Sequence, residues 1–87
     1  MQTPDEIIDE GFRELDLRMA RLRLTSTEAV AMAETSYPTY WRCKPRSDGK
    51  HTHANINSRK KCLAAIERAL DEYELRIAQE NYEAKIA

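Results

Sequence analysis

The sequence predicts a small all-α protein of one domain. Apolar residues recur at helical spacing over long stretches, and polar residues that cap helices precede these stretches. The 87 residues include only two glycines and three prolines that would interrupt them. Hydrophobic residues make up 41% of the chain and charged residues 33%, which is typical of a soluble helical domain. Because a chain of this length buries a limited core, association with a second copy would add stability.

A long first helix is predicted from Pro4 to about Leu24. Thr3 and Glu6 have the spacing of a capping box, and Pro4 occupies the first helical position, where its missing N–H is not needed. Gly11 lies inside this helix and either weakens it or marks a close packing contact. One apolar face is predicted to pack in the core, and it consists of Ile8, Phe12, Leu15, Met19 and Leu22.

A second, short helix is predicted to run to about Glu34. Thr25 and Glu28 repeat the capping-box spacing at its start. Its inner face consists of the small side chains Ala29, Val30 and Ala33. Small residues let another helix approach closely, so a third helix is expected to pack directly against this one.

The third helix is predicted from about Tyr37 to Lys44, after a turn at Thr35 and Ser36. Ser36 caps this helix, and Pro45 ends it. Tyr40 and Cys43 lie three residues apart and are predicted to point inward. The side chains predicted to face outward are Tyr37, Thr39, Trp41 and Arg42.

The polar segment that follows is compatible with two structures. Asp48 and Gly49 form a strong hairpin signal, so a short basic hairpin at residues 44–56 is one of them. An extended loop is the other. Neither is favoured by the sequence.

The last helix is predicted over residues 58–85, with Asn57 or Ser58 as its cap. At about 40 Å, it is longer than this domain needs for its own core. Its apolar residues step by three and four, as in a coiled coil, so we expect it to form a homodimer. The predicted interface consists of Leu63, Ile66, Leu70, Tyr73 and Ile77.

Charge is distributed unevenly along the chain. Residues 1–34 carry eight acidic and four basic side chains, and residues 62–87 carry six acidic and three basic ones. Residues 35–61 carry seven basic side chains and the single acid Asp48. A basic centre between acidic flanks is typical of a surface that binds a polyanion, although a solvated basic loop has the same composition.

Residues 26–46 resemble the helix-turn-helix of phage repressor and Cro-type transcription regulators. The shared pattern is a polar cap, a first helix of small residues, a turn, and a second helix that starts near Ser36 and ends in aromatic and basic residues. The family usually has glycine in the turn, where this chain has Glu34 and Thr35. The family also has two short helices after the motif, where this chain has a basic segment and one long helix.

The resemblance implies that residues 37–44 form a recognition helix in the major groove of double-stranded DNA. Arg42 would contact a guanine edge, because its planar fork matches the two acceptors there. The other residues in the predicted interface are Ser36, Tyr37, Thr39 and Trp41, together with the phosphate contacts Lys44, Arg46, Lys50, Arg59, Lys60 and Lys61. The sequence thus predicts a cytoplasmic transcription regulator, of the type that phages and mobile elements encode.

Other functions are less well supported. Cys43, His51, His53 and Cys62 are residue types that bind zinc, but their spacing matches no usual ligand pattern, so no metal or other cofactor is expected. No arrangement of a nucleophile with a base indicates an enzyme or a small-molecule substrate. No apolar run is long enough to span a membrane. The aromatic residues near Arg42 are also compatible with binding of single-stranded nucleic acid, through stacking on its bases. The main alternative to a DNA-binding regulator is a helical adaptor or inhibitor that binds an acidic protein surface.

Overall fold

A computed structural model describes residues 2–46 and 54–86, and within these residues all regular secondary structure is helical. The four helices are α1 (Pro4–Arg21), α2 (Ser26–Met32), α3 (Tyr37–Cys43) and α4 (Ile56–Ile86). The all-α prediction and the long first and last helices are confirmed. None of the helices in this part of the chain is both long and apolar enough to cross a membrane.

Side-chain caps begin the first three helices where the sequence predicts them. The hydroxyl of Thr3 accepts from the backbone N–H of Glu6 at 3.2 Å. Thr25 and Glu28 form a complete capping box, with bonds of 3.1 Å in both directions. Ser36 accepts from the backbone N–H of Thr39 at 3.3 Å. These local bonds satisfy N–H groups that have no partner inside a helix.

Helix α4 starts earlier than predicted. Its first residue is Ile56, and the side chain of Asn55 accepts from the backbone N–H of Ser58 at 2.9 Å. The cap is therefore Asn55, and the prediction of Asn57 or Ser58 is wrong. Residues 44–46 and 54–55 are not in strands, and residues 47–53, which would form most of the predicted hairpin, lie outside the described residues.

Helices α1 and α4 run side by side in the same direction. Gly11 of α1 packs against Leu63 of α4, and a methyl group added at Gly11 would lie 2.7 Å from the Leu63 side chain. Further along both helices, the guanidinium of Arg18 forms ion pairs with Asp71 and with Glu74, the latter at 3.0 Å. Gly11 thus marks the close packing contact that its position suggested.

The core is formed by all four helices, with α4 at its centre. The predicted inner face of α1 is buried up to Met19, whereas Leu22 is half-buried after the end of the helix. From α2 and α3 the core receives Ala29, Val30, Tyr40 and Cys43. From α4 it receives Cys62, Ile66, Ala69 and Leu70.

A left-handed residue that is not glycine lies two positions after the last residue of each of the first two helices. Arg23 and Glu34 each have φ of 57°. After each, a backbone N–H reaches back to the last turn: Leu24 to the carbonyl of Met19 at 2.9 Å, and Thr35 to that of Val30 at 3.1 Å. This is the Schellman geometry, in which glycine is the preferred residue. Glu34 thus occupies a position in which glycine would be preferred.

Replacing Glu34 by glycine is therefore expected to raise the free energy of unfolding by about 0.5–1 kcal/mol, because relief of left-handed strain exceeds the entropy that glycine adds to the unfolded chain. Urea unfolding followed by circular dichroism measures this change. Glu34→Ala removes the same charge and keeps the strain, so it should give no such gain. Equal stabilisation by both variants would assign the effect to charge.

Candidate nucleic-acid interface

Helix α3 has one face in the core and one in solvent. Tyr40 and Cys43 are 3% and 1% exposed, as the sequence predicts. On the opposite side Tyr37 and Trp41 are 42% and 57% exposed, and Arg42 is also exposed. Aromatic residues and arginine are enriched at interfaces with partners.

The start of α3 uses its polar side chains internally. The hydroxyls of Ser36 and Thr39 lie 2.7 Å apart and share a hydrogen bond, while Ser36 also caps the helix. Both residues remain exposed. Both hydroxyls therefore stabilise the first turn of α3. A ligand that bound either hydroxyl would compete with the hydrogen bond between them.

Arg59 is a buried structural residue, so the prediction that it contacts DNA phosphate is wrong. Its side chain is 2% exposed. Its Nε donates to the backbone carbonyl of Cys43 at 2.9 Å, and its Nη1 donates to Asp5 at 3.0 Å. Its Nη2 pairs with Asp9. The guanidinium also lies 5.9 Å from the centre of the Phe12 ring, within the range of a cation–π contact.

Arg59 consequently holds three helices together at one point. It extends from α4, binds two carboxylates of α1, and satisfies a carbonyl in the last turn of α3. Lys60 and Lys61 directly follow Arg59, which contacts Cys43 at the C-terminal end of α3. Both lysines are exposed. The first turns of α4 thus carry two exposed cations next to the residue that joins α4 to α3.

The cations around α3 differ in their exposure and in whether they already have a partner within the chain. Within the described residues Arg42, Lys60 and Lys61 have no hydrogen bond or ion pair, so their charges are available to a ligand. Lys44 is half-buried, with its ammonium 5.9 Å from the centre of the Tyr40 ring. Arg46 is also half-buried, and Lys50 lies outside the described residues. We call Tyr37, Trp41, Arg42, Lys60 and Lys61 the α3 surface.

No acidic residue occurs in residues 35–46 or 54–66, the two segments that surround the α3 surface. Asp5 and Asp9 approach this region from α1 and both pair with Arg59, which offsets one of their two negative charges. The α3 surface itself carries the three positive charges of Arg42, Lys60 and Lys61, so an anionic partner would be attracted to it.

The two cysteines are free thiols in the core. Burial raises the pKa of Cys62 to about 12, and the adjacent Cys43 thiol adds to the shift. Cys43 also donates to the backbone carbonyl of Ser58 at 3.7 Å. His51 and His53, the other zinc candidates, lie outside the described residues. Among residues 2–46 and 54–86 no group of three or more histidine, cysteine, aspartate or glutamate side chains is arranged to hold a metal ion.

Tyr40 packs the inner face of α3 against α1. Its ring lies 6.2 Å from that of Phe12, and its hydroxyl donates to Asp16 at 3.4 Å. Burial, followed by the negative charge of Asp16, raises the pKa of Tyr40 from 10.0 to about 12.

The free energy of unfolding should decline between about pH 10 and pH 12 because of Tyr40. The raised pKa means that the unfolded chain loses this proton first, so the contribution is complete below pH 10 and disappears as the pH reaches about 12. Tyr40→Phe cannot ionise and should show a shallower decline over this interval in urea titrations. Parallel curves for the two proteins would contradict the assignment.

Three of the five residues predicted for the dimer interface pack within the chain itself. Ile66 and Leu70 are 0% exposed in the core, and Leu63 is partly buried against it, so the predicted interface is wrong for these positions. Tyr73 and Ile77 are half-buried. The coiled-coil spacing of the sequence therefore reflects intramolecular packing over its first half.

Comparison with protein-family models, with curated proteins and with solved structures finds no match. Any function must therefore be argued from the α3 surface itself.

Proposed function

We propose that this protein binds double-stranded DNA through the α3 surface and regulates transcription. The observation that carries the proposal is that the outer face of α3 is exposed, with Tyr37, Trp41 and Arg42 in solvent. The inner face is fixed because Tyr40 and Cys43 are buried in the core. A short helix held rigidly by its inner face and offering an arginine outward suits insertion into the major groove.

Arg42 is the residue proposed to read sequence. It is exposed and has no ion pair within the described residues, so binding a base edge breaks no internal contact. Its guanidinium donates in a fork that matches the two acceptors of guanine. Tyr37 and Trp41 provide apolar contact area beside it, which suits thymine methyl groups.

Lys60 and Lys61 are proposed to bind phosphate. They are exposed, and they directly follow Arg59, which donates to the Cys43 carbonyl at the end of α3. Phosphate contacts of this kind position a protein on the duplex without reading its sequence. As a regulator of the type that phages and mobile elements encode, the protein is proposed to act in the cytoplasm.

A protein partner with an acidic surface is the second candidate. The exposed Trp41 supports it, because aromatic residues are enriched at protein interfaces. The two candidates differ in one measurable respect, which is whether binding depends on the base sequence of a duplex.

The electrostatic part of the proposal is tested with a mixed-sequence DNA duplex and fluorescence anisotropy over a range of salt concentrations. Removing both lysines, as Lys60→Ala with Lys61→Ala, should reduce the slope of log K against log salt by about 2, since each phosphate contact contributes about 0.9. Arg13→Ala with Arg68→Ala removes two exposed charges elsewhere and should leave the slope unchanged. Equal effects of the two double variants would reject a DNA site at α3.

A further inference from the structure

Helix α4 extends well beyond the core. Its 31 residues span about 46 Å at 1.5 Å per residue. The last buried residue is Leu70, so residues 71–86 contribute none of the core. A helical segment of this length is marginally stable in water when it stands alone. Apart from the half-buried Tyr73 and Ile77 and the ion pairs of Asp71 and Glu74 with Arg18, the distal half of α4 therefore has little of the packing that normally stabilises a helix.

One side of this distal half carries a line of exposed apolar residues. Leu75, Tyr82 and Ile86 are 60%, 67% and 66% exposed. With Gln79 they follow at steps of four, three and four, which places all four on one face of the helix. This face, which we call the distal stripe, contains no charged residue. It lies on the opposite side of α4 from Tyr73 and Ile77.

We propose that the distal stripe binds the distal stripe of a second copy of this chain, with the two helices antiparallel. In this arrangement Leu75 faces the partner's Ile86, and Gln79 faces the partner's Tyr82. Each of these two residue pairs occurs twice because of the two-fold symmetry, so the interface contains four pairs. The stripe is thus complementary to itself, as a two-fold interface requires.

The charges beside the stripe favour the antiparallel direction. Antiparallel pairing places Arg76 opposite the partner's Glu83 at both ends of the interface. Parallel pairing would instead place Arg76 opposite the partner's Asp71, which Arg18 already binds. Glu83 has no ion pair within the described residues. Antiparallel pairing therefore uses charges that the single chain leaves free.

The proposed dimer has a consequence for DNA, which rests on the proposed function. Pairing centred between residues 80 and 81 places Arg59 about 65 Å from the partner's Arg59 along the helix axis. The two α3 surfaces would then suit half-sites about two turns of DNA apart. Because the paired stretch is short, the dimer is expected to form at micromolar and not nanomolar concentrations.

Sedimentation velocity over the micromolar to submillimolar range tests the dimer without DNA, so its outcome is independent of the proposed function. The unaltered chain should pass from monomer to dimer over this range. Leu75→Glu and Tyr82→Glu should each weaken dimerisation at least about tenfold. Ala84→Glu introduces the same charge on the opposite side of α4 and should have little effect, with circular dichroism confirming that each variant is folded.

Charge exchange provides the second arm of the test. Arg76→Glu and Glu83→Arg should each weaken the dimer, and the double variant should restore it because the pair is merely reversed. A monomer at all concentrations would overturn the proposal. Disruption by Ala84→Glu but not by Leu75→Glu would also overturn it, since the interface would then lie on the side of Tyr73 and Ile77.

Discussion

Replacing Arg59 by methionine is expected to lower the free energy of unfolding by about 2–4 kcal/mol. Methionine fills much of the same space, but the carbonyl of Cys43 loses its donor, and Asp5 and Asp9 lose their cation. The loss is smaller than for a fully buried ion pair because Asp5 is 56% and Asp9 28% exposed, so water partly replaces the arginine.

Urea unfolding monitored by circular dichroism measures this loss, and Lys60→Met is the matched control. Lys60 is the next residue on the same helix and is exposed, so its replacement should change the free energy of unfolding by less than about 0.5 kcal/mol. Similar stabilities for the two variants would show that Arg59 is not the residue that joins α1, α3 and α4.

Replacing Arg42 by alanine is expected to weaken binding to a preferred duplex by about 1–3 kcal/mol. The preferred duplex is obtained by repeated selection of a random-sequence library on the protein. The physical reason is the loss of two hydrogen bonds to one base, so binding to a scrambled duplex should fall much less. The thermal unfolding midpoint should stay unchanged, because Arg42 is exposed and unpaired within the described residues.

The control for Arg42 is Arg68→Ala, which removes an exposed arginine from the middle of α4. It should leave binding to both duplexes unaltered. An equal loss on preferred and scrambled duplexes after Arg42→Ala would make Arg42 a phosphate contact and remove the basis for its proposed reading of guanine.

The elements that the sequence predicted well are those specified locally. The caps at Thr3, Thr25 and Ser36 depend on residues three positions apart, and each appears in the structure. The inward direction of Tyr40 and Cys43 follows from helical spacing alone. Such features need no knowledge of distant partners.

Arg59 shows why contacts between residues far apart in the sequence were harder to predict. Its partners Asp5 and Asp9 are 54 and 50 residues away, so no local pattern joins them. A signal was nevertheless present, since extending the apolar face of α4 back from Cys62 by three residues reaches Arg59. The sequence nevertheless favours a surface position, because arginine is rarely buried without a partner.

Three residues of the predicted dimer interface were wrong for a related reason. A seam at Leu63, Ile66 and Leu70 has the same spacing whether it packs on another copy or on α1 of the same chain. Only the tertiary contacts, such as that between Gly11 and Leu63, distinguish the two. The exposed residues of the distal stripe lie off that seam, so the spacing of the seam does not indicate them.

The central claim is that the α3 surface recognises duplex DNA by sequence, and fluorescence anisotropy of the unaltered protein tests it most directly. Two duplexes are compared at low and at physiological salt: the DNA upstream of the protein's own gene and a scrambled version of it. We predict binding to the first that persists at physiological salt while binding to the second is lost. Weak binding to both duplexes that disappears equally as salt rises would contradict the claim.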